Sequence, residues 1–117
     1  MSQIMKLGFL VMLIVLVTLI VFGSEVLLLA AEDDGSKIAI IAPKNGEIVG
    51  ETFALKYDLT KGSKAAHGHV YLDGQRQKGF EGTFRGVSKG QHEIKVVAAT
   101  HEHGELAAAD SVTVEVK

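Results

Sequence analysis

From Leu7 to Ser24 the chain runs eighteen residues without a charge, and after Glu25 the apolar character resumes from Val26 to Ala31. At a rise of about 1.5 Å per residue, roughly 20 such residues cross the hydrocarbon core of a bilayer. The run therefore predicts one transmembrane α-helix within residues 1–31, meeting lipid through residues 7–26. Lys6 and the free amine lie before it and Glu32-Asp33-Asp34 after it. That flanking charge sets a single-pass orientation in the cytoplasmic membrane, with the N-terminus in the cytoplasm and the rest of the chain in the periplasm or outside. A cleaved signal peptide has the same polarity, and Ala30-Ala31 supplies small residues for a cut. Against cleavage stand the single lysine and an apolar stretch longer than the usual signal core. Glu25 reads either as the outer membrane boundary or as a carboxylate docking against another subunit.

Beyond residue 31 the composition changes character. Of the 55 hydrophobic residues, 23 fall in the first 31 positions, which leaves 32 for the remaining 86, enough for one modest core. There is no cysteine, so disulfides, thiolate metal sites and cysteine nucleophiles are excluded. A formal charge of −2 provides no footprint for nucleic acid.

Period-two alternation in short runs between turn residues predicts an all-β domain over 37–117, reached through an acidic linker at 32–36. Expected strands are Lys37 to Ala42, closed by Pro43-Lys44-Asn45-Gly46, then Thr52 to Leu59 with Phe53, Leu55, Tyr57 and Leu59 on one face. His69 to Asp73 follows, ending in the Asp73-Gly74 turn, with Val70 and Leu72 inward. One or two strands fit Gln75 to Val87, whose three glycines imply bulges or edges. His92 to Thr100 and Ser111 to Lys117 complete six or seven strands, an immunoglobulin-like antiparallel β-sandwich.

Four segments carry a resemblance: Ile-Ala-Pro-Lys-Asn-Gly-Glu-Ile-Val (41–49), His-Val-Tyr-Leu-Asp-Gly (69–74), Lys-Gly-Gln-His-Glu-Ile-Lys-Val-Val-Ala (89–98) and Ser-Val-Thr-Val-Glu-Val (111–116). Together they resemble bacterial immunoglobulin-like domains over roughly Lys37 to Lys117. The resemblance implies a non-catalytic binding or spacer module exported from the cytoplasm. It lies in turn and core motifs, which specify fold better than function.

Histidine supplies the one chemical constellation. In an immunoglobulin-like strand order the start of the His69 strand lies beside the end of the His92 strand, which brings His67 and His69 to the same end as His101 and His103. All four share outward parity if extension persists. Two His-x-His pairs could supply three or four nitrogens to zinc or copper(II), with Glu102 or Glu105 as an oxygen donor. No methionine follows Met12, which removes the thioether ligands of a copper(I) site. The competing reading is two solvated loops, or a docking surface in which His69, Tyr71 and Val97 form an amphipathic patch. His92 sits at the other end and reads as a structural hydrogen bonder.

No serine lies in a nucleophile-elbow context and no carboxylate pair is set up for acid-base work, so an enzyme is not expected. The leading expectation is an anchored, outward-facing accessory subunit of a larger bacterial membrane complex, respiratory or photosynthetic, with no cofactor of its own. Its partners would be the other subunits of that complex, met partly through Glu25, Tyr71 and Val97. An exported histidine-based zinc- or copper-binding protein is the alternative. A surface adhesion or glycan-binding module, with Tyr57 and Tyr71 as aromatic platforms, is a third.

Overall fold

The computed structural model describes residues 30–117; the expected transmembrane helix and Glu25 lie outside the described residues. Among the described residues there are nine strands, and no helix is long and apolar enough to cross a membrane. The strands are β1 (Lys37–Ala42), β2 (Ile48–Val49), β3 (Phe53–Ala54), β4 (Lys56–Thr60), β5 (His67–Leu72), β6 (Gln75–Arg76), β7 (Thr83–Phe84), β8 (Gly90–Ala99) and β9 (Glu105–Val116). One layer is the five-stranded sheet β2-β9-β8-β5-β6. Facing strands pair as β1-β4 and β3-β7.

Alternation places the core between these layers. Phe53, Leu55, Val70, Phe84, Ile94, Val96, Val112, Val114 and Val116 form one buried cluster, onto which Ile38, Ile40, Tyr57 and Leu72 pack. On each strand these are every second residue, as a pleated ribbon with one dry face requires.

β1 has the expected bounds. The expected single strand Thr52 to Leu59 is instead two, because the chain pairs first with β7 and then with β1. Leu55 bridges the change: it is buried, and its amide donates to the Gly82 carbonyl at 2.9 Å. The turn after β1 centres on Asn45-Gly46, with Glu47 N–H donating to Lys44 O at 3.0 Å and Gly46 at φ 81°. Gly46 supplies the left-handed position that such a turn demands. β2 then pairs parallel to β9, a contact with too short a run to leave a signal in the sequence.

Two hairpins set up the functional end. Asp73 and Gly74 have φ values of 51° and 79° between the paired residues Leu72 and Gln75, as a two-residue primed turn requires. The register then puts Arg76 opposite Tyr71. β8 and β9 form the second hairpin, and β9 starts six residues before the expected Ser111. Its first half reads Glu-Leu-Ala-Ala-Ala-Asp, in which small alanines blur the alternation. The stretch between Ala99 and Glu105 is consequently a tight turn: Thr100 N–H donates to Gly104 O, and His103 N–H to Thr100 O. His103 carries φ 69°, uncommon for a residue with a β-carbon.

The segment 32–36, read above as a linker, is bonded into the domain. Ala107 N–H donates to the Glu32 carbonyl at 2.8 Å. Asp34 accepts from the amides of Lys64 and Ala65 and from the Ser36 hydroxyl. The Ser36 bond leads the effects that lower its pKa to about 2.

Candidate metal centre

β5 and β8 pair antiparallel with His67 opposite Ala99 and His69 opposite Val97. His67 and His69 are two residues apart and so share the face away from the core. On the far side of β8, the register shifts between Val97, which faces Ala109, and Ala99, which faces Glu105. That shift places Glu105 in one row with Ala99 and His67. Ala99, a small residue with no exposed surface, lies between the two larger ones. The left-handed backbone at His103 turns its imidazole back over the strands.

The outcome is a triangle of ring nitrogens. His67 Nε2 lies 3.2 Å from His69 Nε2 and 3.1 Å from His103 Nδ1, and the third side measures 3.3 Å. Four ligands at 2.0–2.1 Å from a tetrahedral zinc ion are separated by roughly 3.3–3.4 Å, so the triangle has close to the dimensions of one face of that tetrahedron.

Hydrogen bonding alone does not account for the triangle. Each nitrogen presents either a proton or a lone pair, so among three at least two are alike, and one contact is always mismatched. The character of one corner is fixed. Arg76 Nη2 can only donate, and it lies 3.1 Å from His69 Nε2, which therefore carries a lone pair. The ring proton is then on Nδ1, where it donates to Glu105 Oε2 at 3.0 Å. Glu105 also accepts from the Tyr71 hydroxyl. A carboxylate behind a ligating imidazole fixes its tautomer and raises its basicity.

Electrostatics at the cluster favours a neutral ring at His67. Desolvation, with the neighbouring His103 and His69 and the Arg76 charge, lowers the pKa of His67 below that of a free imidazole. Burial pushes Glu105 upward, but the bonds from Tyr71 and His69 outweigh it and leave its pKa lowered. The same bond raises the pKa of Tyr71. A neutral imidazole at His67 and an ionised carboxylate at Glu105 are protonation states that suit a divalent cation.

Three of the four expected ligands thus come together: His67, His69 and His103. His101 is not among the three; it is exposed within the β8–β9 turn, near enough to His67 to contribute to its lowered pKa. Glu105 stands behind His69 rather than among the three nitrogens, and Arg76 was not anticipated. The Asp73-Gly74 turn could have revealed Arg76, because a two-residue hairpin fixes the register of Tyr71 and Arg76 by counting. The expected docking pair Tyr71 and Val97 line a groove of about 270 Å³ with Lys95 and Glu105. Val97 is only 6% exposed, and the Tyr71 hydroxyl is bonded to Glu105.

At the opposite end of the same strands, His92 lies beside Asp73 and Ser88, the residue types of a hydrolytic triad. The donor pattern points elsewhere. His92 Nδ1 donates to Asp73 Oδ2 at 2.5 Å and Nε2 to the Ser88 carbonyl at 2.7 Å. Both nitrogens face acceptors, which favours the protonated ring; in that form Nε2 has no lone pair for the Ser88 hydroxyl, which lies 3.3 Å from it, farther than the carbonyl. The Asp73 bond, followed by that of Ser88, raises the His92 pKa.

No family model and no curated protein matches the chain. Among solved structures it is similar to the fibronectin(III)-like modules of Clostridium thermocellum CbhA, with a TM-score of 0.51 and 23% identity over 68% of this chain and 96% of that one. At that identity the likeness shows the fold: residues 30–117 form an immunoglobulin- or fibronectin III-like β-sandwich module.

Proposed function

We propose that this module binds a divalent transition metal, zinc or copper(II), through His67, His69 and His103. The observation that supports the reading is the nitrogen triangle with sides of 3.1, 3.2 and 3.3 Å, oriented from behind by Glu105. Neutral imidazole suits both ions, and the absence of cysteine and of methionine after Met12 removes the soft donors that copper(I) prefers. The uncharged run 7–24 supports export of the module and its retention at the outer face of the cytoplasmic membrane. The role is metal capture or delivery beside that membrane, on a sandwich whose strand β5 holds His67 and His69 and whose β8–β9 turn supplies His103.

The test is equilibrium competition between the full chain, kept in mild detergent, and a chromophoric chelator for zinc and for copper(II). One ion per chain with micromolar or tighter affinity is expected. Weak uptake of several ions per chain, as scattered surface histidines give, would overturn the reading.

A second reading keeps the module as an accessory subunit of a larger membrane complex. What supports it is the same hydrophobic run and the interaction-type module fold. Copurification in mild detergent with a defined multi-subunit assembly is its expected outcome; elution without companions removes it.

A further inference from the structure

We infer that the metal-bearing triad takes a small carboxylate or other oxyanion as its fourth ligand, held between the ion and the Arg76 guanidinium. The inference rests on the metal reading and concerns the corner that the three histidines leave open. His69, at 4% exposure, forms the floor of the cluster, while His103 and Arg76 are exposed at its rim. The fourth corner therefore opens to solvent beside Arg76. A tetrahedral ion needs that corner filled.

Metal binding changes the situation of Arg76. Its Nη2 now donates to the lone pair of His69 Nε2 at 3.1 Å, and one lone pair cannot serve both a guanidinium and a metal ion. When the ion takes it, Arg76 loses its acceptor and faces a second positive charge at close range. The local charge is then unbalanced. Three neutral imidazoles contribute nothing, and the one carboxylate bonded to the cluster, Glu105, is already engaged by His69 and Tyr71. An oxyanion resolves both problems, with one oxygen on the ion and another accepting from the guanidinium, whose forked donors match carboxylate and phosphate.

Two opposite effects at a single residue follow. Arg76→Gln removes the partner of the anion and weakens anion binding. The same change removes a positive charge next to the ion and a competitor for the His69 lone pair, and so tightens metal binding.

The experiment loads the full chain with cobalt(II), whose visible absorption reports its coordination shell, and titrates it with acetate and separately with inorganic phosphate. A saturable spectral change is expected with at least one of them, weakened about tenfold or more in Arg76→Gln. Cobalt(II) affinity of that variant, measured without added anion, should exceed that of the native chain, and a weaker affinity overturns the placement of Arg76 beside the ion. Since Arg76 is exposed, an unchanged thermal midpoint will show that the variant is folded. Cobalt(II) uptake with no response to either anion, or an anion response indifferent to Arg76, overturns this inference and leaves the metal site standing. No cobalt(II) or zinc uptake at all overturns the metal reading and this one with it.

Discussion

At one end of the β5–β8 pair, His92 lies between the Asp73 carboxylate and the Ser88 carbonyl, with a protein acceptor for each ring nitrogen. At the other end His67, His69 and His103 turn nitrogens toward one another, where no choice of tautomers satisfies all three contacts. The residue type and the supporting strands are the same; the partners differ. A histidine enclosed by acceptors has its pKa raised and serves the fold, as His92 does in joining the Asp73 turn to the start of β8. Histidines whose main partners are other histidines have a conflict that a cation removes.

The sharpest way to break the comparison is to remove one corner of the triangle without harming the fold. His103→Gly does this, because glycine accepts the φ of 69° more readily than histidine. Zinc affinity should fall more than about 100-fold, with thermal stability of the metal-free chain unchanged or slightly higher. A variant that binds zinc as tightly as the native chain would remove His103 from the site. Next in size is Glu105→Gln, which keeps the shape behind His69 but not the charge. An expected loss of about 10- to 100-fold in zinc affinity, measured by the same competition, reflects a weaker orienting acceptor.

The other end should respond in stability alone. Asp73→Ala removes the acceptor of both His92 and the Glu93 amide, at 2.5 and 2.8 Å, and is expected to cost about 1–2 kcal/mol in denaturant unfolding, with zinc affinity unaltered. The two ends should also oppose each other in pH. The raised pKa of His92 means that its contribution is complete below the unfolded value near 6.5 and is lost as pH rises through the folded one. The lowered pKa of Asp73 gives a contribution present above about 3.8 and lost as pH falls through its folded value. His67, lowered instead, penalises the fold as pH falls from about 6.5 toward its folded value, since the unfolded chain then binds the extra proton. In His67→Gln that acid-side penalty should shrink, whereas in Asp73→Ala the alkaline-side loss should shrink; unchanged pH profiles would contradict the assignment. The smallest effect is that of His101→Ala, where zinc affinity should remain within about twofold.

Much of this was legible in the sequence, and for identifiable reasons. β1 kept its bounds because Ile38 and Ile40 alternate against a following proline. The juxtaposition of His67 and His69 with the end of β8 followed from strand order, which short alternating runs and the Asp73-Gly74 turn together constrain. What escaped was the last step, from neighbourhood to ligand set. Outward parity made His101 and His103 equivalent, yet the tight turn and the positive φ at His103 bring only the second into contact. That turn was hidden because Ala107, Ala108 and Ala109 disguise the first half of β9 as loop. The register shift that sets Glu105 opposite Ala99, in one row with His67, is a property of pairing rather than of either strand alone, and it leaves no pattern in the sequence.

X-ray absorption at the zinc edge of the full chain loaded with one equivalent of zinc tests the central claim most directly, because it reads the ligands of the ion itself. The account predicts imidazole scattering from three rings, with zinc-nitrogen distances of about 2.0–2.1 Å, falling to two rings in His103→Gly. A shell of oxygens with one imidazole or none, unchanged by that substitution, would contradict it.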